Sequence, residues 1–120
     1  MKTSSCKAKG RKLQQKIRDM YRELGKGLQL EDGDIESRGM GQQGTDIIFS
    51  PKALYVFDHD IECKKHKAVS VPKLFEEHYK KYKDNNHLKL LFHENDRSEA
   101  LVTMRASDFL ALLAKLYIEQ

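Results

Sequence analysis

A glutamate stands two residues before a lysine in Ile61-Glu62-Cys63-Lys64, and no other arrangement in the chain is better suited to chemistry. Side chains alternate along a strand, so Glu62 and Lys64 share one face while Ile61 and Cys63 share the other. A carboxylate so placed can bind Mg²⁺, and the lysine beside it can orient or help deprotonate an attacking water. Sixteen residues upstream, Asp46 opens a second apolar run, Asp46-Ile47-Ile48-Phe49. An antiparallel hairpin between the two runs would bring Asp46 near Glu62. Two acids suffice for Mg²⁺, which prefers a few carboxylates plus waters and substrate phosphate to an all-protein cage. The plain alternative for Glu-x-Lys is a surface ion pair.

Other reactive side chains fit known chemistry less well. His59, Cys63 and His66, with Cys6 as a fourth ligand, match no common zinc spacing. Cys63 lacks an identifiable base and orienting group, so it is no nucleophile. His78 falls on an apolar helix face and reads as a core histidine, whereas His66 and His93 are recommended only by their place in the sequence. Gly39, Gly41 and Gly44 lack the Gly-Lys-Ser/Thr ending of a phosphate loop and predict a flexible loop able to approach DNA closely.

The elements that must position these residues follow from periodicity. Leu13, Ile17, Met20, Tyr21 and Leu24 predict a helix over 8–24, closed by Gly25 and Gly27. A short strand over Ile35–Arg38 precedes the glycine loop, and a β-rich run over Leu54–Lys64 follows Ser50-Pro51. Ser70 is a predicted N-cap, with Pro72 in the first turn of a helix whose apolar face is Val71, Leu74, Phe75, His78, Tyr79 and Tyr82. On its polar side Glu76 and Glu77 can pair with Lys80 and Lys81 at i,i+4. Asp84-Asn85-Asn86 breaks the chain before strands at Leu88–His93 and Ala100–Met104, joined by a turn at Glu94-Asn95-Asp96-Arg97. A final helix from about Ser107 is expected to turn Phe109, Leu112, Leu113, Leu116 and Tyr117 inward. The order αβββαββα predicts an α/β domain with a mixed β-sheet flanked by helices.

One domain over 1–120 fits the length, with residues 1–7 expected as a flexible basic arm. Apolar residues make up 39% and charged ones 33%, but the apolar runs near 47–57, 88–92 and 109–118 argue against disorder. No run approaches the roughly 18 apolar residues of a membrane helix, and no secretory leader is legible. Two cysteines, Cys6 and Cys63, exclude a disulfide framework and predict a reducing, cytoplasmic setting. The net charge of +4 hides a pattern. Residues 1–27 carry nine Lys/Arg, 28–60 seven acids, and 63–83 seven Lys, so basic segments bracket an acidic centre. Such a pattern suits carboxylates that hold metal with cations that hold a polyanion around them, though ordinary solvated faces would produce it too.

Gly44-Thr45-Asp46-Ile47-Ile48 followed by Ile61-Glu62-Cys63-Lys64 resembles the PD-(D/E)xK nuclease superfamily. Lys9-Gly10 at the first helix and Arg38-Gly39-Met40-Gly41 before the aspartate resemble its small Holliday-junction resolvases of phages and archaea, over roughly residues 7–117. The resemblance implies a restriction-endonuclease-like core and a Mg²⁺-dependent endonuclease, Mn²⁺ substituting, that cuts branched DNA as a homodimer. If the chain is phage-encoded, its setting is the host cytoplasm. By resemblance Asp46 and Glu62 are metal ligands, the Cys63 carbonyl a third, and Lys64 the catalytic lysine. Where these resolvases carry a glutamate in the first helix, this chain reads Leu13-Gln14-Gln15. Gln14 lies on the flank of the apolar stripe and Gln15 opposite it, so Gln14 is the candidate to support the site. The loop serine usual in resolvases is absent after Arg38. Lys7, Lys9, Arg11, Arg18, Arg38, Lys65 and Lys67 are the candidate phosphate contacts. A flap, nick or single-strand nuclease, or a nucleic-acid-binding module that does not cut, are the alternatives.

Overall fold

The first apolar stripe folds as α1 (Thr3–Lys26), with Leu13, Ile17 and Tyr21 buried. The structure is a computed structural model and describes residues 3–39, 41–66, 70–96 and 98–119, with side chains from Ala8 onward. Helix α1 therefore takes in residues 3–7, which the sequence reading assigned to an arm. Its buried stripe is narrower than predicted, because Met20 and Leu24 lie more than half exposed. Gly25 ends the buried side: a Cβ there would stand 3.2 Å from both Ile35 Cδ1 and Leu30 Cβ, so a larger residue would make both side chains give way.

Beyond a turn at Asp32–Asp34, β1 (Ile35–Ser37) pairs antiparallel with β2 (Ile47–Phe49). The expected β-run over Leu54–Lys64 is corrected here. Its first residues form a helix, α2 (Pro51–Val56), and only β3 (His59–Lys65) is a strand. The reason is local. Ser50 caps α2 by accepting the Ala53 amide at 3.1 Å, and Pro51 fits the first helical turn, where a missing N–H costs nothing. The Ser50 hydroxyl also donates to Asp34 at 2.7 Å, which ties α2 to the start of β1. The predicted hairpin between Asp46 and Glu62 is thus replaced by a connection through α2, with no ladder between β2 and β3 among the described residues.

Helix α3 (Val71–Lys81) has its predicted Ser70 cap and carries the chain from β3 to β4 (Leu88–Glu94), which lies parallel to β3. Strand β5 (Leu101–Thr103) returns antiparallel to β4 and leads into α4 (Ala106–Tyr117). The sheet β3-β4-β5 is therefore mixed, and the α/β class with helices around a mixed sheet agrees with the sequence reading. The element order gains α2, so it is not αβββαββα.

The core lies between α1 and one face of the sheet. Leu13, Ile17 and Tyr21 join Ile35, Ile47, Phe57, Ile61, Cys63 and Leu90 in a single buried cluster. Tyr21 meets Phe49, Phe57 and Phe92 edge-on, at ring centroid distances of 5.4, 5.2 and 6.1 Å. Its hydroxyl shares a hydrogen bond of 2.8 Å with His59 Nδ1. The last helix departs from expectation. No described residue of α4 is buried, and Phe109, Leu112, Leu116 and Tyr117 are 50%, 42%, 53% and 73% exposed, leaving only Leu113 of the predicted inward set half-buried.

Candidate active site

Asp46 sits against β3 through two hydrogen bonds. Its amide donates to the Ile61 carbonyl at 2.9 Å, and its Oδ2 accepts the Cys63 amide at 2.7 Å. Successive residues of a strand turn their backbone groups to opposite edges, and the amide and carbonyl of one residue share an edge, so the Cys63 carbonyl faces the same edge as the amide that binds Asp46. The loop before Asp46 is clamped from within. The Arg38 amide donates to the Asp46 carbonyl at 2.8 Å, and Arg38 Nε donates to the Thr45 carbonyl at 2.6 Å. The guanidinium lies over Gly44, whose φ is +121°; a Cβ there would come within 2.6 Å of it. Gly44 thus serves close packing inside the loop.

Glu62 and Lys64 emerge together on the opposite sheet face from Ile61 and Cys63, as alternation requires. Lys64 Nζ stands 3.5 Å from Glu62 Oε2. With Leu74, Glu77, His78 and Lys81 of α3 they line a cleft of about 160 Å³. Glu77 and Lys81 were read from sequence only as a pair on a helix surface. Their i,i+4 spacing was visible, but that α3 covers Glu62 and Lys64 depends on the β3-α3-β4 crossover. Gln14, buried on α1, lies beside Asp46 and favours its anion. Gln14, the flank residue that helical geometry favours over Gln15, is thus the one beside Asp46.

The electrostatics of Asp46 are unusual for an aspartate. Burial and the neighbouring negative charge of Glu62 push its carboxyl up to about 6, against the opposing pull of the Cys63 amide, Lys64 and Gln14. The Cys63 thiol is also pushed strongly up by burial and by Asp46 and Glu62, so it stays protonated. Among the described residues no three His, Cys, Asp or Glu side chains converge to hold a metal ion. The oxygen donors at hand are two carboxylates in electrostatic contact and one strand-edge carbonyl. A crowded pair of hard oxygen anions suits a hard divalent cation that keeps several waters.

The candidate phosphate contacts scatter. Arg11 is exposed on α1, and Lys9 reaches Asp96 at 3.3 Å. Arg18 pairs with Asp19 at 2.9 Å. Lys65 points to the α1 side, where it and Lys16 hold the buried Glu94 at 2.9 and 2.7 Å. Lys67 and the side chains of Cys6 and Lys7 lie outside the described residues. His66 and His93 lie with ring centroids 5.6 Å apart and planes inclined at 40°, and His93 Nε2 bonds Thr103 Oγ1 at 2.8 Å.

A second polar cluster lies at the other end of β3. Asp60 and Lys89, both almost fully buried, form an ion pair of 3.1 Å. Asn85 and His87 complete the shell of the carboxylate at 3.2 and 3.1 Å. His78 Nε2 donates to the Asp60 carbonyl at 3.0 Å, which supports its reading as a core histidine. No protein-family model, curated protein or solved structure matches the chain.

Proposed function

We propose that this protein is a metal-dependent, structure-selective DNA endonuclease with a restriction-endonuclease-like core, acting as a Holliday-junction resolvase. One observation carries the reading: the Asp46 carboxylate is bonded to the Cys63 amide and electrostatically coupled to Glu62, while Lys64 lies beside Glu62. A structural aspartate gains its place from cations or from several donors. Even with the Cys63 amide and Lys64 beside it, Asp46 is held next to another carboxylate at the expense of its own ionisation, an arrangement that favours a cation bound between them.

Asp46, Glu62 and the Cys63 carbonyl would hold Mg²⁺ or Mn²⁺. When bound, the ion supplies Lewis-acid stabilisation of the scissile phosphate and a water acidic enough to attack near neutral pH. Lys64 Nζ would donate to the attacking water and aim it, and Gln14, beside Asp46, would help to orient its carboxylate. Arg11, Arg38 and the first helix hold phosphates, so binding is sequence-tolerant and weakened by salt. Two symmetric cuts need two sites, and the working form proposed is a homodimer.

The test of substrate class is cleavage of a labelled four-way junction beside a matched linear duplex and a flap, with and without Mg²⁺. Paired symmetric cuts in the junction support the resolvase. Cutting of the flap or of single strands would keep the nuclease and discard the resolvase. Binding without cutting in either Mg²⁺ or Mn²⁺ would leave only a nucleic-acid-binding module.

A further inference from the structure

Helix α4 is apolar on nearly every side, yet no described residue of it is buried. A helix of that composition is normally enclosed by protein. Its first turn is fastened: Arg105 donates to Tyr79 Oη at 3.0 Å, stacks over the Tyr79 ring at 4.8 Å and pairs with Asp108 at 3.0 Å. Beyond that turn the apolar residues face outward. Strand β5, which feeds α4, stands at the edge of its sheet with Leu101 and Val102 about half exposed. Leu101, Val102 and the outward residues of α4 together leave more exposed apolar surface than the isolated apolar residues normal on a surface.

We infer that α4 and β5 form the interface between two copies of this chain, with the two α4 helices antiparallel. The charges on α4 favour a second copy over other occupants. Phe109, Leu112 and Leu116 recur at helical spacing and make one stripe. Asp108 and Lys115, seven residues apart, lie on the same flank of that stripe. In an antiparallel pair, like flanks meet, and each Asp108, held by Arg105 of its own chain, also faces Lys115 of the other helix across an axial offset of about 1.5 Å, one residue. Two such ion pairs flank a stripe that packs on itself about Leu112, a self-complementary patch of the kind a two-fold axis requires. A membrane surface is disfavoured, since interfacial helices carry a cationic polar face and α4 holds only Lys115 within its length. DNA is disfavoured by the same scarcity of cations. The inference rests on α4 and β5 alone, and it supplies the surface for the homodimer proposed above.

Sedimentation equilibrium of the full chain tests it, independently of any cleavage. The wild-type mass should approach twice 13.9 kDa with rising concentration. Leu112→Glu, placed beside the two-fold axis, should return it to a single chain with the circular dichroism and melting temperature of the fold retained. Lys115→Glu should weaken dimerisation by about tenfold, and Asp108→Lys with Lys115→Glu should restore it, because the swap exchanges the partners. A wild-type chain that stays monomeric at its highest soluble concentration would overturn the inference. So would a dimer indifferent to Leu112→Glu, and failure of the double swap to restore association would exclude the antiparallel pairing.

Discussion

The Cys63 amide donates to Asp46 Oδ2 across 2.7 Å, joining the loop after β1 to the strand that carries Glu62 and Lys64. Together with the bond from the Asp46 amide to the Ile61 carbonyl, it joins residues seventeen apart in sequence without a β-ladder between their segments. It also holds Asp46 where burial and Glu62 both oppose its ionisation, which pushes the carboxyl up to about 6.

Asp46→Asn should therefore stabilise the metal-free protein while abolishing cleavage. A carboxyl raised in the folded chain binds its proton more tightly there than in the unfolded chain. Its contribution to stability is full below the ordinary value of 3.8 and is lost as pH climbs to about 6. That loss amounts to roughly 2–3 kcal/mol. Asparagine can still accept the Cys63 amide, so at pH 8 the variant should gain about 1–2 kcal/mol in urea unfolding without divalent ions. Equal or lower stability would contradict the electrostatic account.

The same ionisation should appear in the rate. Cleavage under single-turnover conditions should rise through about pH 6 as Asp46 loses its proton. Higher Mg²⁺ should move the rise to lower pH, since cation and proton compete for one carboxylate. A profile flat from acid to neutral pH would remove Asp46 from the reaction.

Gln14→Ala removes a polar neighbour that favours the Asp46 anion, so the rise in rate should move to higher pH. Activity at saturating Mg²⁺ should fall about tenfold, a magnitude usual for groups that orient metal ligands. Gln14→Glu places a like charge beside Asp46 and should move the rise further. An unaltered profile in both variants would make Gln14 a packing residue only.

Lys89→Met leaves Asp60 buried without its cation and should cost about 3–5 kcal/mol. The change is read from the urea midpoint. Asp60→Asn combined with Lys89→Met should recover part of that loss, because Asn85 and His87 can still serve the neutral amide. No loss in the single variant would show the pair to be incidental.

Much of the site was legible because strand alternation and helix geometry are local. Alternation placed Glu62 and Lys64 together and turned Cys63 into the core, and the 100° step chose Gln14 over Gln15. The cap at Ser70 was read correctly, whereas the same chemistry at Ser50-Pro51 was overlooked beneath the β-favouring Leu54-Tyr55-Val56. Propensity over three residues yielded there to a cap with its own hydrogen bonds. Glu77 and Lys81 reach the cleft only through the crossover that sets α3 over β3, which no spacing encodes. Lys65, a candidate phosphate contact, turns away from Lys64 by the alternation rule itself: adjacent strand residues face opposite sides, and Lys65 goes to Glu94. The outward α4 breaks the expectation that an apolar helix is buried within its own chain, as it would be if a second chain supplied the cover.

The most direct test of the central claim separates chemistry from binding. Junction cleavage and junction affinity would be measured side by side for wild type, Asp46→Asn, Glu62→Gln and Lys64→Ala, in Mg²⁺ and in its absence. The account predicts Mg²⁺-dependent cutting by wild type, at least a hundredfold loss in each variant, and affinities within a few-fold of one another. Cleavage that survives either carboxylate substitution, or proceeds without divalent ions, would contradict it.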